Sequence, residues 1–393
     1  MTTSVPGFLA SGISAGIKSD NSKDLGLLFS ETPATAAGVF TTNQIKAAPV
    51  ILTQDKIKKG MAQAVIVNSG NANACTGESG FQNAASVSDK VARELEIDNG
   101  LVMVSSTGII GVPLPLERIE THVQPLVTSL SPGGLGDFSE AIMTTDTFPK
   151  MIIRKASLAD KEVTICGIAK GSGMIMPSMA TLLGYIITDA AIEHTFLQEL
   201  LRDAVKSSFN ALTIDGETST NDTVIMMANG CAGNKTLSTE SEASAQFSTI
   251  LQGVLADLTH LILEDAEGST KIIHISVKNA LTREHAQKIA YKVANSVLVK
   301  TAFFGEDPNW GRIMSAIGQA EATIDPEGIS ICFDDVMVVK NGVSTDLLDQ
   351  ARDILRKPEF RLTIDVKSGS AGTALDTTDL TTEYVKINSA YPT

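Results

Sequence analysis

The sequence is poor in the residue types on which several classes of protein function depend. Its 393 residues include one tryptophan, four tyrosines and five histidines, and acidic residues outnumber basic ones to give a net charge of -14 at pH 7. Binding to nucleic acid or to an anionic membrane needs clustered positive charge, so the composition disfavours both partners. A hydrophobic fraction of 43% with so few aromatic residues predicts an aliphatic core.

Cysteine is also scarce, and long apolar runs are missing. The four cysteines lie far apart and show no C-x-x-C spacing: Cys75, Cys166, Cys231 and Cys332. This pattern predicts buried, reduced thiols and no disulfide or zinc site. The amino terminus resembles no export signal and no run approaches a membrane span. We therefore expect a cytoplasmic protein. We also expect two or three lobes, because the chain is too long for one ordinary core.

The hydrophobic pattern alternates between strand-like and helix-like segments, which predicts an α/β protein of irregular order. Strands are predicted at residues 36–41, 48–53, 63–68, 101–104, 150–155, 163–169, 182–188, 212–223, 271–277, 329–339 and 361–366. Helices are predicted at residues 80–95, 196–211, 243–263, 283–296 and 345–355. Residues 131–136 and 305–312 are predicted to be loops, and no element is predicted in the tail of residues 382–393.

Several polar segments stand at the ends of predicted strands, where α/β proteins usually keep their chemistry. Residues 69–77 (SGNANACTG) and 105–108 (SSTG) follow two apolar strands, and residues 144–147 (TTDT) precede another. The densest polar cluster is Asp215 to Asp222. We interpret this cluster as structural, with side chains that cap turns, and a direct role in the site is the alternative.

The segment from Lys170 to Asp189 reads KGSGMIMPSMATLLGYIITD and joins a glycine-bearing turn to an apolar strand. It lacks the spacing of a phosphate-binding loop, so a nucleotide-binding protein is the less favoured alternative. No histidine forms a recognisable triad, whereas an amino-terminal threonine carries its own base, the α-amine. That amine has an ordinary pKa of about 7.7 to 8.0. Thr181 could act in this way if the chain is cut between Ala180 and Thr181.

Taken with SSTGIIG, TTDT, IDGETSTNDT, EDAEGSTK, GEDPNWGRI and DLTTEYVKINSAYPT, this segment resembles the ornithine acetyltransferase family of arginine biosynthesis, also called glutamate N-acetyltransferase. The likeness runs through essentially the whole chain. It implies a layered α-β-β-α fold of the self-cleaving, amino-terminal-nucleophile kind. It also implies an α chain of residues 1–180 and a β chain of residues 181–393, which share one active site in a heterotetramer of two α and two β chains.

The resemblance further implies a reaction and its participants. The acetyl group of N2-acetylornithine would pass to glutamate by way of an acetyl-threonine ester, with no metal or cofactor. Acetyl-CoA as an additional acetyl donor stays open at this point. An aminopeptidase or amidase of related fold is the alternative, because water could attack the same ester.

Position by position, the resemblance makes Thr181 the nucleophile and assigns stabilisation of the oxyanion to Thr107 and Gly108. It implies substrate binding by Thr147, Lys170, Thr181, Glu267, Asn388 and Thr393. Taken singly, each of these residues has a plainer explanation. Thr107 and Gly108 could form an ordinary turn at the end of a strand, and Lys170 could be a surface lysine. Glu267 could be an acid at the end of a helix, and Asn388 and Thr393 could belong to an ordinary carboxyl-terminal tail. The sequence departs from the family's usual pattern at Ser178, Leu182 and Pro392, of which only Ser178 is expected to affect the rate of cleavage.

Overall fold

The computed structural model describes residues 4–158, 161–176, 182–239 and 241–390. The chain forms two compact units. The first takes in the described residues up to Asn210 together with those of Glu217–Ile262, and the second takes in Ala211–Gly216 and the described residues from Leu263 to residue 390. Each unit contains one β-sheet and several helices, which confirms the predicted α/β class.

Fifteen strands are present in the described residues. In chain order they are β1 (Phe8–Ile13), β2 (Leu25–Phe40), β3 (Met61–Asn71), β4 (Val102–Ile109), β5 (Lys150–Leu158), β6 (Lys161–Lys170), β7 (Leu183–Thr188), β8 (Leu212–Thr213), β9 (Thr223–Ala228), β10 (Ile272–Ala280), β11 (Ser330–Phe333), β12 (Val336–Lys340), β13 (Val343–Ser344), β14 (Glu359–Asp365) and β15 (Ala371–Thr378).

The same part of the chain contains eleven α-helices. They are α1 (Ala48–Lys56), α2 (Gly77–Leu95), α3 (Leu116–Thr128), α4 (Leu135–Ala141), α5 (His194–Ser207), α6 (Glu242–Glu264), α7 (Arg283–Ala294), α8 (Val297–Phe304), α9 (Trp310–Gly318), α10 (Leu348–Leu355) and α11 (Thr382–Ala390). None of these helices is long and apolar enough to cross a membrane.

The sheet of the first unit is mixed, with the strand order β4-β3-β2-β9-β7-β6-β5 and with β1 paired to β2. β3 runs parallel to β4, and β7 runs parallel to β9. The long strand β2 changes register between Phe29 and Ala34, and its later residues also pair with β9. Such an irregularity bends a strand and increases its local twist. One strand therefore connects the two parallel pairs of this sheet.

Both faces of this sheet are covered by apolar side chains. On one face, α2 and α3 contribute Val91 and Val123 to a core that contains Ile66 and Val104. On the other face, Val65 and Val67 of β3 belong to a second core that includes Phe138 of α4. The amphipathic spacing of these helices thus matches the strands that they cover.

The sheet of the second unit has the order β13-β12-β11-β14-β10-β15-β8. Its core is aliphatic with a small aromatic group in which the rings of Phe303 and Phe333 each meet the ring of Phe360 edge to face. Residues of α7 and α9, such as Ile289 and Ile313, pack in the same core. β10 pairs in parallel with β14 and antiparallel with β15.

Most of the predicted strands and helices are confirmed, with shifted bounds, but residues 48–53 form the helix α1 and no strand. Pro49 occupies the first turn of α1, where a proline costs no hydrogen bond. The buried Thr53 hydroxyl donates to Val104 O of β4, so packing beside β4 outweighs the strand propensity of the valine and isoleucine.

Other predictions are wrong in extent. The strand predicted at residues 212–223 is limited to β8, and Asp215 to Asp222 form a loop before β9. The predicted loops and tail overlap helices α4, α9 and α11, and the helices α3 and α8 and the strand β15 were not predicted. Cys166 is buried as predicted, whereas Cys75 and Cys231 are exposed. All four cysteines are free thiols.

A histidine held by two carboxylates makes the stability of the second unit sensitive to pH. The hydrogen bond of His274 to Asp376 raises its pKa to about 9, with a further contribution from Glu359 and against the opposing effect of burial. Because the folded-state pKa exceeds the ordinary value, the stabilisation is fully present below about pH 6.5 and disappears as pH rises through about 9.

We predict that His274→Asn lowers the free energy of unfolding at pH 6 by about 1 kcal/mol, a figure reduced for partial solvent exposure. At pH 9.5 the variant and the wild-type protein should be nearly equal. Urea unfolding at both pH values measures the difference. A deficit that stays constant or grows with pH contradicts the prediction.

Candidate functional site

Lys170, the last residue of β6, lies at the centre of a buried polar cluster in the first unit. Its side chain is 11% exposed, and its Nζ atom donates to Thr144 Oγ1 at 2.7 Å. Thr107 Oγ1 lies 3.5 Å from the same Nζ, and Asp146 Oδ2 lies 3.8 Å away. The plain explanation of Lys170 as a surface lysine is therefore wrong.

Asp146 holds this cluster together. Its fully buried carboxylate accepts from Lys150 Nζ at 2.7 Å, from Gly171 N at 2.7 Å and from Thr144 N at 3.0 Å. Burial alone would raise the pKa of Asp146, but the charges of Lys170 and Lys150 outweigh it and hold the pKa at about 2. The carboxylate is thus ionised and balances two ammonium groups.

Thr107 and Gly108 belong to the end of β4, next to β3. Gly108 has a φ of +130°, and a Cβ atom there would lie 2.4 Å from Gly70 C and 2.5 Å from Asn71 N. No other residue fits at this position, because the close approach leaves no room for a side chain. The ends of β3 and β4 are therefore in direct backbone contact beside the Thr107 hydroxyl.

Curvature of the sheet brings Thr107 and Lys170 together. Their strands β4 and β6 are five places apart in the sheet order, which in a flat sheet would separate them by roughly 24 Å. The actual separation of 3.5 Å between Thr107 Oγ1 and Lys170 Nζ shows that this sheet curls strongly. Sequence spacing alone could not have predicted that Thr107 and Lys170 are in contact.

The start of β7 lies at the same place. Lys170 pairs with Leu183 in antiparallel register, and Leu182 O accepts from Thr223 N at 3.1 Å. Leu182 is buried and directly follows residue 181 in the chain. Ser178, Ala180 and Thr181 lie outside the described residues, as do Pro392 and Thr393.

Asn221 connects the loop before β9 to the ends of β3 and β4. Its Nδ2 atom donates to Ala72 O at 2.6 Å and to Ser106 O at 2.8 Å, and its Oδ1 accepts from Thr220 Oγ1 at 2.6 Å. Ser106 directly precedes the candidate oxyanion residues. These contacts support the structural interpretation of the polar cluster, at least for this asparagine. The sequence located the cluster but gave no indication of its partners.

Thr147 is exposed and follows Asp146 directly. Thr147 is the residue of the segment TTDT that is expected to bind substrate, whereas the structure puts Asp146 at the centre of the cluster. An acidic residue that lies between threonines and four residues before a lysine is a weak pattern. The sequence alone therefore did not predict the central position of Asp146.

In the second unit, Glu267 and Asn388 are in direct contact. Asn388 Nδ2 donates to Glu267 Oε2 at 2.7 Å, although the two residues are 121 positions apart. Gly268 has a φ of +63° and lies against the backbone of α11, where a Cβ atom would be 2.6 Å from Tyr384 N. Thr381 Oγ1 donates to Gly268 O at 2.6 Å. The turn that carries Glu267 is thus fixed to the start of α11, which carries Asn388.

We predict that Asp146→Asn lowers the free energy of unfolding by about 3–5 kcal/mol, because it removes the anion that balances two ammonium groups. The double variant Asp146→Asn, Lys150→Met removes one of those ammonium groups as well and should recover much of the loss. Urea unfolding at pH 7 measures both.

The matched control is Asp137→Asn, which breaks a largely exposed ion pair with Lys23. This variant should lower the free energy of unfolding by less than about 1 kcal/mol. If Asp146→Asn lowers the free energy of unfolding no more than this control does, the buried carboxylate does not balance the two ammonium groups as assigned.

Known proteins resemble this chain over nearly its full length. The model of the ArgJ family matches residues 9–393. The arginine biosynthesis bifunctional protein ArgJ of Syntrophotalea carbinolica is 49% identical over 391 residues, which cover 99% of each chain. The protein of the same name from Geobacter sulfurreducens is 47% identical over 391 residues, which cover 99% of this chain and 100% of the relative.

Solved structures also match. The ornithine acetyltransferase of Mycobacterium tuberculosis, solved in complex with ornithine, is 41% identical with a TM-score of 0.41. That match covers 45% of this chain and 94% of the solved one.

Proposed function

Because this chain belongs to the ArgJ family, an acyltransferase family of arginine biosynthesis, we propose that it transfers the acetyl group of N2-acetylornithine to glutamate. The observation that carries the proposal is the convergence of Lys170, Thr107 and the start of β7 in one buried cluster. β7 begins two residues after Thr181 in the chain, so a nucleophile at that position would belong to this cluster.

The proposal includes cleavage between Ala180 and Thr181. The resulting α chain of residues 1–180 would carry Thr107 and Lys170, and the β chain of residues 181–393 would begin with the nucleophile. The new α-amine of Thr181 would act as the general base that the scattered histidines do not supply. The two chains would stay together because strands of both pair in one sheet, as Lys170 of β6 does with Leu183 of β7.

In the first half-reaction, the α-amine of Thr181 takes the proton of its own hydroxyl while Oγ attacks the acetyl carbonyl carbon. The tetrahedral intermediate then collapses, the bond from carbon to the ornithine nitrogen breaks, and the amine returns the proton to that nitrogen. Ornithine leaves and an acetyl-threonine ester remains. In the second half-reaction, the amine of glutamate attacks the ester, its proton passes by way of the α-amine to Thr181 Oγ, and N-acetylglutamate departs.

Thr107 and Gly108 suit the developing oxyanion for a physical reason. The Lys170 ammonium can only donate hydrogen bonds, so Thr107 Oγ1 accepts from it and keeps its own hydrogen for another acceptor. The proposal adds the Gly108 N–H as the second donor. Donors of this kind stabilise charge that develops only in the transition state.

Lys170 would bind the α-carboxylate that both substrates share. Glu267, oriented by the hydrogen bond from Asn388, would meet the side-chain ammonium of ornithine. Thr147 and the carboxyl-terminal Thr393 complete the proposed substrate-binding set. The curated relatives are named bifunctional, and we include acetyl-CoA as a second acetyl donor to glutamate. A heterotetramer of two α and two β chains in the cytoplasm completes the proposal.

The first test concerns cleavage and transfer together. Intact-mass analysis of the purified protein should show two chains that meet between Ala180 and Thr181. Addition of N2-acetylornithine should release ornithine in repeated turnovers only when glutamate is present. Without glutamate the reaction should stop at the acetyl-threonine ester, after a single ornithine has left each site. Thr181→Ala should stay uncut and inactive, because it lacks the hydroxyl for both steps. Acetyl-CoA in place of N2-acetylornithine tests the second donor in the same assay.

The control for this test is Thr121→Ala, which removes an exposed hydroxyl on α3 and should behave as the wild-type protein. A single uncut chain with full activity would rule out the self-cleaving nucleophile. Release of ornithine at the same rate without glutamate would identify an amidase.

The second test concerns the oxyanion donors. Thr107→Val keeps the shape of the side chain and removes its hydroxyl, so kcat/KM should fall about 10²- to 10³-fold. Thr107→Ser should recover most of the loss. Steady-state rates measure the effect, and intact mass verifies that each variant is cleaved. A Thr107→Val enzyme within a few-fold of the wild type contradicts the assigned role.

A further inference from the structure

A second lysine, Lys18, reaches the candidate site from the segment between β1 and β2. The buried Asp24 carboxylate accepts from the backbone N–H groups of Ala15, Ile17 and Lys18 at 2.6, 2.6 and 2.9 Å. Asp24 O in turn accepts from Ser69 N of β3 at 2.9 Å. The segment that carries Lys18 is therefore fastened to the end of β3.

The stem of the Lys18 side chain lies against the glycine that supports Gly108. A Cβ atom on Gly70 would be 3.1 Å from Lys18 Cγ, and Gly70 has a φ of +93° that favours glycine. The Gly70 backbone also pairs with Gly108, where a Cβ atom would lie 2.4 Å from Gly70 C. Gly70 therefore lies next to both Lys18 and Gly108, and Lys18 is separated from the proposed oxyanion donors by one glycine.

The charge of Lys18 is incompletely balanced. Its half-buried ammonium donates to Lys23 O at 2.8 Å, and within the described ranges no carboxylate lies within ion-pair distance of it. Burial lowers the pKa of Lys18, and the positive charge of Lys170 adds to this effect, whereas Asp24, Asp20 and Asp146 oppose it.

The nearby carboxylates are already engaged. Asp146 binds Lys150 and Lys170, and Asp24 binds three backbone N–H groups. The side chains of Lys18 and Lys170 therefore both lie near the ends of β3 and β4, where their positive charges act on each other. A region with this charge attracts an anionic ligand.

We propose that Lys18 is a second substrate-binding cation that, with Lys170, holds the α-carboxylate shared by N2-acetylornithine and glutamate. The inference rests on the proposed function and deepens it. The α-carboxylate is bonded to the same carbon as the nitrogen that loses or gains the acetyl group, so it lies near the reacting nitrogen in both substrates. A cation beside the oxyanion donors is placed for this group, whereas the far end of either side chain would extend away from it.

The experiment compares Lys18→Met with the wild-type enzyme. Methionine keeps an unbranched stem over Gly70 and removes the charge, so packing is preserved. We expect KM for N2-acetylornithine and for glutamate to rise about 10- to 100-fold with a smaller change in kcat, as loss of a charged hydrogen bond predicts. Lys18→Arg should restore most of the affinity.

The inhibition constants of ornithine and of 1,4-diaminobutane, which lacks the carboxylate, provide a second readout. Ornithine should bind Lys18→Met more weakly by the same factor, whereas 1,4-diaminobutane should bind both enzymes equally. The control Lys23→Met removes a neighbouring ammonium that pairs with Asp137 and Glu140, and it should leave every constant unchanged.

Unchanged KM values in Lys18→Met, or equal weakening of both inhibitors, overturn the inference. A wild-type enzyme that releases no ornithine in the presence of glutamate instead contradicts the proposed function itself. The two failures are therefore distinguishable in one set of assays.

Discussion

The buried carboxylate of Asp146 is the interaction on which the candidate site depends. A lysine ammonium in a dry interior is costly unless an anion balances it, and Asp146 balances both Lys150 and Lys170. The same carboxylate also accepts from Gly171 N, so it fixes the backbone where β6 leads toward the proposed cleavage segment. One ionised group thus sets the charge of Lys170 and the path of the chain beside it.

The candidate site also depends on the curvature of the sheet in the first unit. β4 and β6 lie at distant places in the strand order, and the irregular strand β2 stands between the two parallel pairs. Asn221 then ties the loop before β9 to Ala72 and Ser106 at the ends of β3 and β4. Asn221 is 149 positions from Ala72 and 115 positions from Ser106, so one buried amide joins segments that are distant in the chain, which is typical of a preorganised site.

The sequence predicted the strands that carry the site, because the apolar runs of β3, β4, β6 and β7 are long and bounded by glycine or polar residues. It predicted Thr107, Gly108 and Lys170 through family resemblance, and the structure brings all three to one cluster. It failed at α1, where packing against β4 overrides the strand propensity of Val50 and Ile51. It also failed at α8, which was not predicted, and at α9, whose first residues were predicted to belong to the loop 305–312. The role of Asp146 and the proposed role of Lys18 could not be predicted, because the first depends on Lys170 and the second on Gly70, and neither contact is visible from sequence spacing.

The central claim is that Thr181 carries the acetyl group between the two substrates. The most direct measurement is the mass of the protein after incubation with N2-acetylornithine in the absence of glutamate. The account predicts that the fragment beginning at Thr181 gains one acetyl group on that residue and loses it when glutamate is added. An enzyme that transfers acetyl groups while this fragment stays unmodified, or that carries the acetyl group on another residue, would contradict the account.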